Sequence, residues 1–227
     1  MLNHVIKKNG MGLIVSIPEN SAEMARAAFE AGADAIKVHA NVEHKASGNI
    51  FPSVEEQREL FTEIIKIADG RPVGLVPGDD AEKITGEEIK IAEELGFEFL
   101  SVYAHHAPID ILKESNLTTV IAFNDDYDLD QLINLESLDI DAVEASLVSK
   151  DQYFKPLTYD NLLNYNKLRN NTELPIVVPT QKKIKPSEIK YIKEIGIDFI
   201  MIGAVVTGKS VEGVKKTTSE FKKEIIK

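Results

Sequence analysis

The chain has 227 residues, 26 Lys and Arg against 37 Asp and Glu, a formal net charge of -11 and no cysteine. The missing thiols exclude a disulfide framework, a thiolate metal site and a cysteine nucleophile. The acidic balance argues against nucleic acid or an anionic membrane as partner, since both repel negative charge.

In chain order, eight short apolar runs occupy residues 12–17, 35–40, 72–77, 97–104, 118–124, 142–148, 175–180 and 199–205. Amphipathic stretches of helical period follow them at 22–30, 54–68, 86–95, 109–114, 129–135, 161–168, 186–195 and 211–226. Short β-branched runs alternating with helices predict parallel βαβ units. Eight such units predict one α/β domain over 1–227, a closed (β/α)8 TIM barrel, with an open doubly wound sheet as the alternative. Gly32, Gly70, Gly96 and Gly196 stand where left-handed helix C-caps belong, and Gly32, Gly96 and Gly196 each open a Gly-x-Asp or Gly-x-Glu turn into the next strand. Ser53 with Glu56, and Thr85 with Glu88, read as capping boxes.

Residues 1–8 lack the apolar core of a signal peptide, and no run reaches membrane-spanning length. A soluble cytoplasmic protein is expected. The longest non-periodic pieces, 43–52 and 150–156, both follow strands, at the end where a barrel builds its site. A homo-oligomer is compatible with this pattern, although no apolar stripe singles out an interface.

Strand alternation indicates which side chains enter the barrel. With Ile36, Val38 and Ala40 packed outward, the second strand turns Lys37, His39 and Asn41 inward. The sixth turns in Glu144, Ser146 and Val148, and the fourth Ser101, Tyr103 and His105. The first contributes Ser16 and the fifth Asn124 or Asp125. A lone charge in a barrel core costs several kcal/mol, so Lys37 and Glu144 are expected to meet each other or a wet pocket. They are read as an acid/base or imine-forming pair, with His39 and His105 as proton relays and Ser16, Asn41, Tyr103, Asn124 and Ser146 as substrate contacts. The alternative is a structural ion pair in a barrel that binds a metabolite without converting it.

Asp79-Asp80 and residues 124–128 carry oxygen donors of the kind Mg²⁺ takes, yet also read as caps and solvated turns. His105 and His106, being adjacent on a strand, would point to opposite faces. No metal and no cofactor is assigned.

Residues 203–210, Gly-Ala-Val-Val-Thr-Gly-Lys-Ser, match the P-loop pattern letter for letter, follow a strand and open a helix. No later strand supplies the acidic Mg²⁺ partner of an NTPase, so a nucleotide-binding protein is the lesser reading. A barrel commonly holds phosphate in the loops after its last two strands, which assigns Gln181, Lys182, Gly203, Ala204, Gly208 and Lys209 to a phosphorylated metabolite, with Lys183 adding positive charge.

The run Leu174-Pro175-Ile176-Val177-Val178-Pro179-Thr180, with residues 197–207 after it, resembles the ribulose-phosphate-binding barrels, a superfamily of sugar-phosphate epimerases, decarboxylases and amino-acid-pathway enzymes. Within it, Ala40-Asn41-Val42-Glu43, Pro72-Val73-Gly74-Leu75-Val76 and the last strand with its loop are similar to the N-acetylmannosamine-6-phosphate 2-epimerase family. The resemblance implies a barrel enzyme acting on a sugar phosphate. Its pattern departs at His39, where that family has arginine, at Pro77-Gly78, where it has lysine, and at Pro179-Thr180-Gln181-Lys182, which replaces Ala-Glu-Gly. The expected activity is proton abstraction beside a carbonyl, as in an isomerase, epimerase or aldolase-type lyase.

Overall fold

The computed structural model describes residues 10–44 and 47–227; the stretch 1–8, read above for a leader, lies outside these, as do residues 45–46 of the loop 43–52. The chain runs β1 (Gly12–Ser16), α1 (Ala22–Glu30), β2 (Ala35–His39), β3 (Val42–His44), β4 (Asn49–Phe51), α2 (Arg58–Ala68), β5 (Val73–Val76), α3 (Gly86–Leu95), β6 (Phe99–Tyr103) and α4 (Ile109–Glu114). It continues through β7 (Thr118–Asn124), β8 (Ala142–Ser146), α5 (Tyr159–Asn171), β9 (Ile176–Pro179), α6 (Ile189–Glu194), β10 (Phe199–Ile202), α7 (Ala204–Thr207) and α8 (Val211–Ile225). The strands close a parallel barrel in the ring order β1-β10-β9-β8-β7-β6-β5-β2, while β3 and β4 pair antiparallel as a separate hairpin after β2. The expected TIM barrel is thus the observed fold, and part of the loop 43–52 proves to be this hairpin.

Alternation along the strands sorts the core into two layers. Ile14, Phe99, Val120, Val177, Phe199 and Met201, with Ala35 and Ala142, plug the barrel interior. Leu13, Ile36, Leu75, Leu100, Val143, Val178 and Ile200 pack outward under the helices. Each large apolar side chain so buried stabilises the fold by about 1.5–3 kcal/mol relative to exposure. Gly74 makes room for the plug: a Cβ there would lie 2.0 Å from the Phe99 ring.

The helix expected at 129–135 does not form; turns lead to a short 3-10 segment at Leu135–Leu138. The Asp128 carboxylate takes the Asp130 N–H at 2.9 Å in a local turn, and Asn134 is left-handed with φ 52°, which breaks helical continuity. Leu132 and Leu135 are nevertheless buried, so successive turns satisfy an apolar spacing that also suits a helix. The Ser53 and Glu56 capping box is made (3.2 and 3.0 Å), but around a turn, and α2 begins only at Arg58. At α3 only half a box forms. Thr85 accepts from the Glu88 N–H at 3.2 Å, while the Glu88 carboxylate leaves to bind Asn41 Nδ2 (3.0 Å) and the Val54 N–H (2.6 Å).

The Gly-x-Asp turns have a second task beyond ending helices. Asp34, one residue before β2, accepts the Leu13 N–H of β1 at 2.9 Å. Asp198, before β10, accepts the Ile176 N–H of β9 at 2.8 Å, and Asp141, before β8, accepts the Thr119 N–H of β7 at 2.7 Å. The third case lacks the glycine: Asp139, left-handed with φ 57°, takes its place. Each carboxylate pins the start of the preceding barrel strand.

Candidate active site

In the ring of strands β2 and β8 are four places apart, so Lys37 and Glu144, each at its strand's centre, face each other across the barrel. They meet above the apolar plug: Lys37 Nζ lies 2.9 Å from Glu144 Oε2, with side chains only 6% and 8% exposed. Ser101, reaching in from β6, accepts from Lys37 Nζ (3.3 Å) and donates to Glu144 Oε2 (2.7 Å). Ser146 donates to the other oxygen, Oε1, at 3.0 Å. Burial pushes the Glu144 carboxyl up, but the Lys37 ammonium and the serine hydroxyls outweigh it and hold the group below its ordinary 4.5. Glu144 is therefore a carboxylate at neutral pH, and the pair forms a charged floor.

Above that floor opens a cavity of about 350 Å³, within the range of small-molecule sites. Of the residues singled out in the sequence, Ser16, Lys37, His39, Tyr103, His105, Asn124, Glu144, Ser146, Gln181, Gly203 and Ala204 line it. Asn41, Lys182, Gly208 and Lys209 are not among its walls. Asn41 has left-handed backbone (φ 55°) because β2 has already ended, and its amide clasps the Pro77 carbonyl (3.2 Å) and Glu88. Lys182 is buried away from the mouth, and Lys209 is exposed outside it.

His39 is held by its backbone: Asn20 takes its N–H at 3.2 Å and donates to its carbonyl at 2.6 Å. Its buried ring stacks on Phe51 of the hairpin, with centroids 4.9 Å apart. β6 ends at Tyr103 and a 3-10 turn follows at Ala104–His106. The alternation expected to separate His105 from His106 therefore lapses, and both line the cavity with their rings 4.1 Å apart. Burial, followed by the neighbouring His106, lowers His105 below its ordinary value, so its imidazole is neutral at pH 7. Asn124 spends its amide on Asp126, at 2.8 Å. Among the described residues no group of three or more His, Asp or Glu side chains is placed to hold a metal ion.

The P-loop motif folds as something else. Residues 204–207 make one helical turn, Val206 and Thr207 both donating to the Gly203 carbonyl at 3.0 Å, and Gly208 (φ 67°) turns the chain out. Ser210 then caps α8 through the Gly213 N–H at 3.0 Å. No loop wraps a nucleotide's phosphates here. What remains at the mouth is a compact rim. Thr180 Oγ1 accepts the Gly203 N–H at 3.0 Å and, as a hydroxyl, still carries a proton to donate. Ala204 and Val205 lie in the first turn of α7, where N–H groups have no intrahelical acceptor. Gln181, assigned to phosphate from the sequence, uses its amide on the Val148 N–H (3.2 Å), the Ser146 carbonyl (3.2 Å) and Tyr153 Oη (2.7 Å). The lysine at the rim is Lys150.

Sequence reasoning missed Lys150, Tyr153, Thr180 and His106 as wall residues. Thr180 lay at a predicted strand end and Ser101 was already turned inward by alternation. Lys150 and Tyr153 lie in the non-periodic piece 150–156, where only the loop's location was a signal.

No family model matches the chain, and no curated protein matches it. Solved structures do. A mutant tryptophan synthase from M. tuberculosis, in a ligand-free form, is 12% identical with a TM-score of 0.75, covering 100% of this chain and 97% of that one. Thiamine phosphate pyrophosphorylase from Pyrococcus furiosus is 18% identical with a TM-score of 0.68 over 96% of both chains. KGPDC from Streptococcus mutans is 14% identical with a TM-score of 0.68, covering 95% and 97% respectively. At these identities the likeness is one of fold.

Proposed function

We propose that the protein is an enzyme that removes a proton next to the carbonyl of a small phosphorylated sugar or keto compound, as an isomerase, epimerase or aldolase-type lyase. The observation that carries this reading is the buried Lys37–Glu144 pair at the floor of an open cavity. Glu144 is the base. As it takes the proton, negative charge passes to the substrate oxygen, where the Lys37 ammonium can follow it. The buried charge moves by one site but never leaves its counter-ion, which is electrostatic stabilisation without reorganisation. In a second version Lys37 first gives up a proton and attacks the carbonyl, forming a C=N bond and releasing the oxygen as water.

The phosphate would rest on the rim formed by Thr180, Gly203, Ala204 and Val205, with Lys150 as its cation. A protein that shares the fold lends support, being named for thiamine phosphate.

The test is incubation with a panel of sugar phosphates and phosphorylated keto acids in D2O, following deuterium at the carbon beside the carbonyl by NMR. Glu144→Gln should lower the exchange roughly 100- to 10,000-fold, the usual worth of a general base. Full exchange in that variant would sink the reading. Borohydride trapping of substrate on Lys37 separates the imine version from the ammonium one.

One observation favours a second reading, a barrel that binds a phosphorylated metabolite without turning it over: every heteroatom of Glu144's carboxylate is already satisfied by protein. In that case Lys37→Met combined with Glu144→Met keeps ligand affinity.

A further inference from the structure

Two of the serines in the cavity wall are committed to the floor: Ser101 and Ser146 donate to Glu144 at 2.7 and 3.0 Å. Ser16, on the same wall, is different. It is only 8% exposed, and its Oγ makes no hydrogen bond to any described residue. A buried hydroxyl without a partner is costly, so the partner of Ser16 is expected from the cavity it lines.

Strand register fixes where that hydroxyl stands. Ser16, at the end of β1, pairs with Lys37 of β2, and neighbouring strands run about 4.8 Å apart. On its other side β1 pairs with β10, and a Cβ on Gly203 would lie 3.7 Å from that of Ser16. The hydroxyl thus sits between the strand of the amine and the phosphate rim. Lys37 also has a donor to spare. An ammonium carries three N–H bonds, and the partners of Lys37 Nζ are Glu144 Oε2 and Ser101 Oγ. The remaining N–H and the Ser16 O–H are uncommitted donors on adjacent strands of one cavity.

We propose that Ser16 is a catalytic residue, the second donor of an oxyanion hole in which its hydroxyl and the spare N–H of Lys37 hold the carbonyl oxygen of the substrate. The assignment rests on Glu144 being the base. When the C–H bond beside the carbonyl breaks, the proton goes to Glu144. The electron pair left behind forms a C=C bond while the C=O pair moves onto oxygen. That oxygen, a weak acceptor in the carbonyl, becomes an enolate and draws far more strongly on both donors, so the contact lowers the barrier rather than only tightening binding. Return of the proton from Glu144 to carbon restores the carbonyl and leaves both donors as they began. A hydroxyl suits the place because it rotates to meet the oxygen without adding a second cation that would compete with Lys37 for Glu144.

Enolate mimics test this without turnover. Phosphoglycolohydroxamate and its four-carbon relative phosphoerythronohydroxamate each carry a planar oxyanion and a phosphate. Their dissociation constants are measured by calorimetry beside that of inorganic phosphate in wild type, Ser16→Ala and Ser16→Thr. Wild type should bind at least one hydroxamate more tightly than phosphate. Ser16→Ala should weaken that hydroxamate about 10- to 100-fold, the worth of a hydrogen bond to a charged group, and leave phosphate within about twofold. Ser16→Thr, which keeps the hydroxyl, should recover most of the loss. The assignment is overturned if neither hydroxamate binds more tightly than phosphate, or if the alanine change leaves hydroxamate affinity intact. It is overturned equally if that change weakens phosphate as much, which would make Ser16 part of the rim. The D2O exchange separates this inference from the reading beneath it. Ser16→Ala should slow exchange roughly 100- to 1,000-fold. Exchange lost in Glu144→Gln but intact in Ser16→Ala removes the hydroxyl and keeps the base, whereas full exchange in Glu144→Gln strikes the functional reading itself.

Discussion

Two ion pairs, one at the start of a strand and one at the centre of the barrel, show what distinguishes a clamp from a working group. Arg169, on α5, meets Asp198 at 3.0 Å with side chains 16% and 21% exposed, and its remaining donors go to the carbonyls of Leu174 (3.1 Å) and Thr172. Asp198 spends the same oxygen on the Ile176 N–H. Every further partner is backbone, which cannot turn away. Lys37 and Glu144 are more deeply buried but are surrounded by hydroxyls, which rotate and pass protons, and they open on a cavity. The carboxyls answer in opposite directions. Burial leaves Asp198 above its ordinary 3.8, while the ammonium and hydroxyls beside Glu144 hold it below 4.5.

The largest effect that separates the two should come from breaking the floor. Lys37→Met or Glu144→Gln leaves a buried charge unpaired and should cost about 3–5 kcal/mol in denaturant unfolding, whereas the double change to methionine should recover most of the loss or exceed wild type. Asp198→Ala should cost about 2–3 kcal/mol by orphaning Arg169 and the Ile176 N–H, and should leave anion binding at the mouth unchanged in calorimetric titration with inorganic phosphate. Gly74→Ala, which drives a methyl into Phe99, should cost about 1–3 kcal/mol through the plug beneath the floor.

The smallest and most diagnostic contrast is in pH. A depressed carboxyl contributes stability above its ordinary 4.5 that disappears as pH falls through its folded value, so the gap between wild type and Glu144→Gln should narrow on acidification. A raised carboxyl behaves inversely: its contribution is complete below 3.8 and shrinks as pH rises through the folded value, so the gap to Asp198→Ala should widen on acidification. Denaturant midpoints measured from roughly pH 3 to pH 6, across the carboxylate range, check both signs. Parallel curves would erase the distinction between the pairs.

The barrel was legible because β-branched runs and helical periods alternate. The floor was legible because alternation along β2 and β8 left Lys37 and Glu144 no other side to face. Legibility stopped where strands stop. Asn41 and His106 were placed by extending alternation past the strand ends, where Asn41 goes left-handed and Ala104 begins a 3-10 turn that brings His106 to the cavity beside His105. Charge alone says nothing of direction, so Lys182 and Lys209 were assigned to phosphate and Lys150 was not, although of the three only Lys150 lines the cavity. Tyr153 has no periodic signature; Gln181, which orients it, is 28 residues away in sequence. The motif at 203–210 shows the converse, since its letters fit a phosphate loop while its hydrogen bonds describe a helical turn.

The aspartates that pin strand starts recur at nearly constant spacing: 21 residues from Leu13 to Asp34, and 22 from Thr119 to Asp141 and from Ile176 to Asp198. Each fastener joins the two ends of one strand-to-strand unit, and Asp34 alone of the three adds an ion pair from the last helix, to Lys222 at 2.7 Å. Such a unit carries its own alignment, as a self-locking tile does. A barrel assembled from tiles of this kind can be enlarged, recombined or circularly rearranged at the seams between them, while the chemistry gathered at the other rim is free to change.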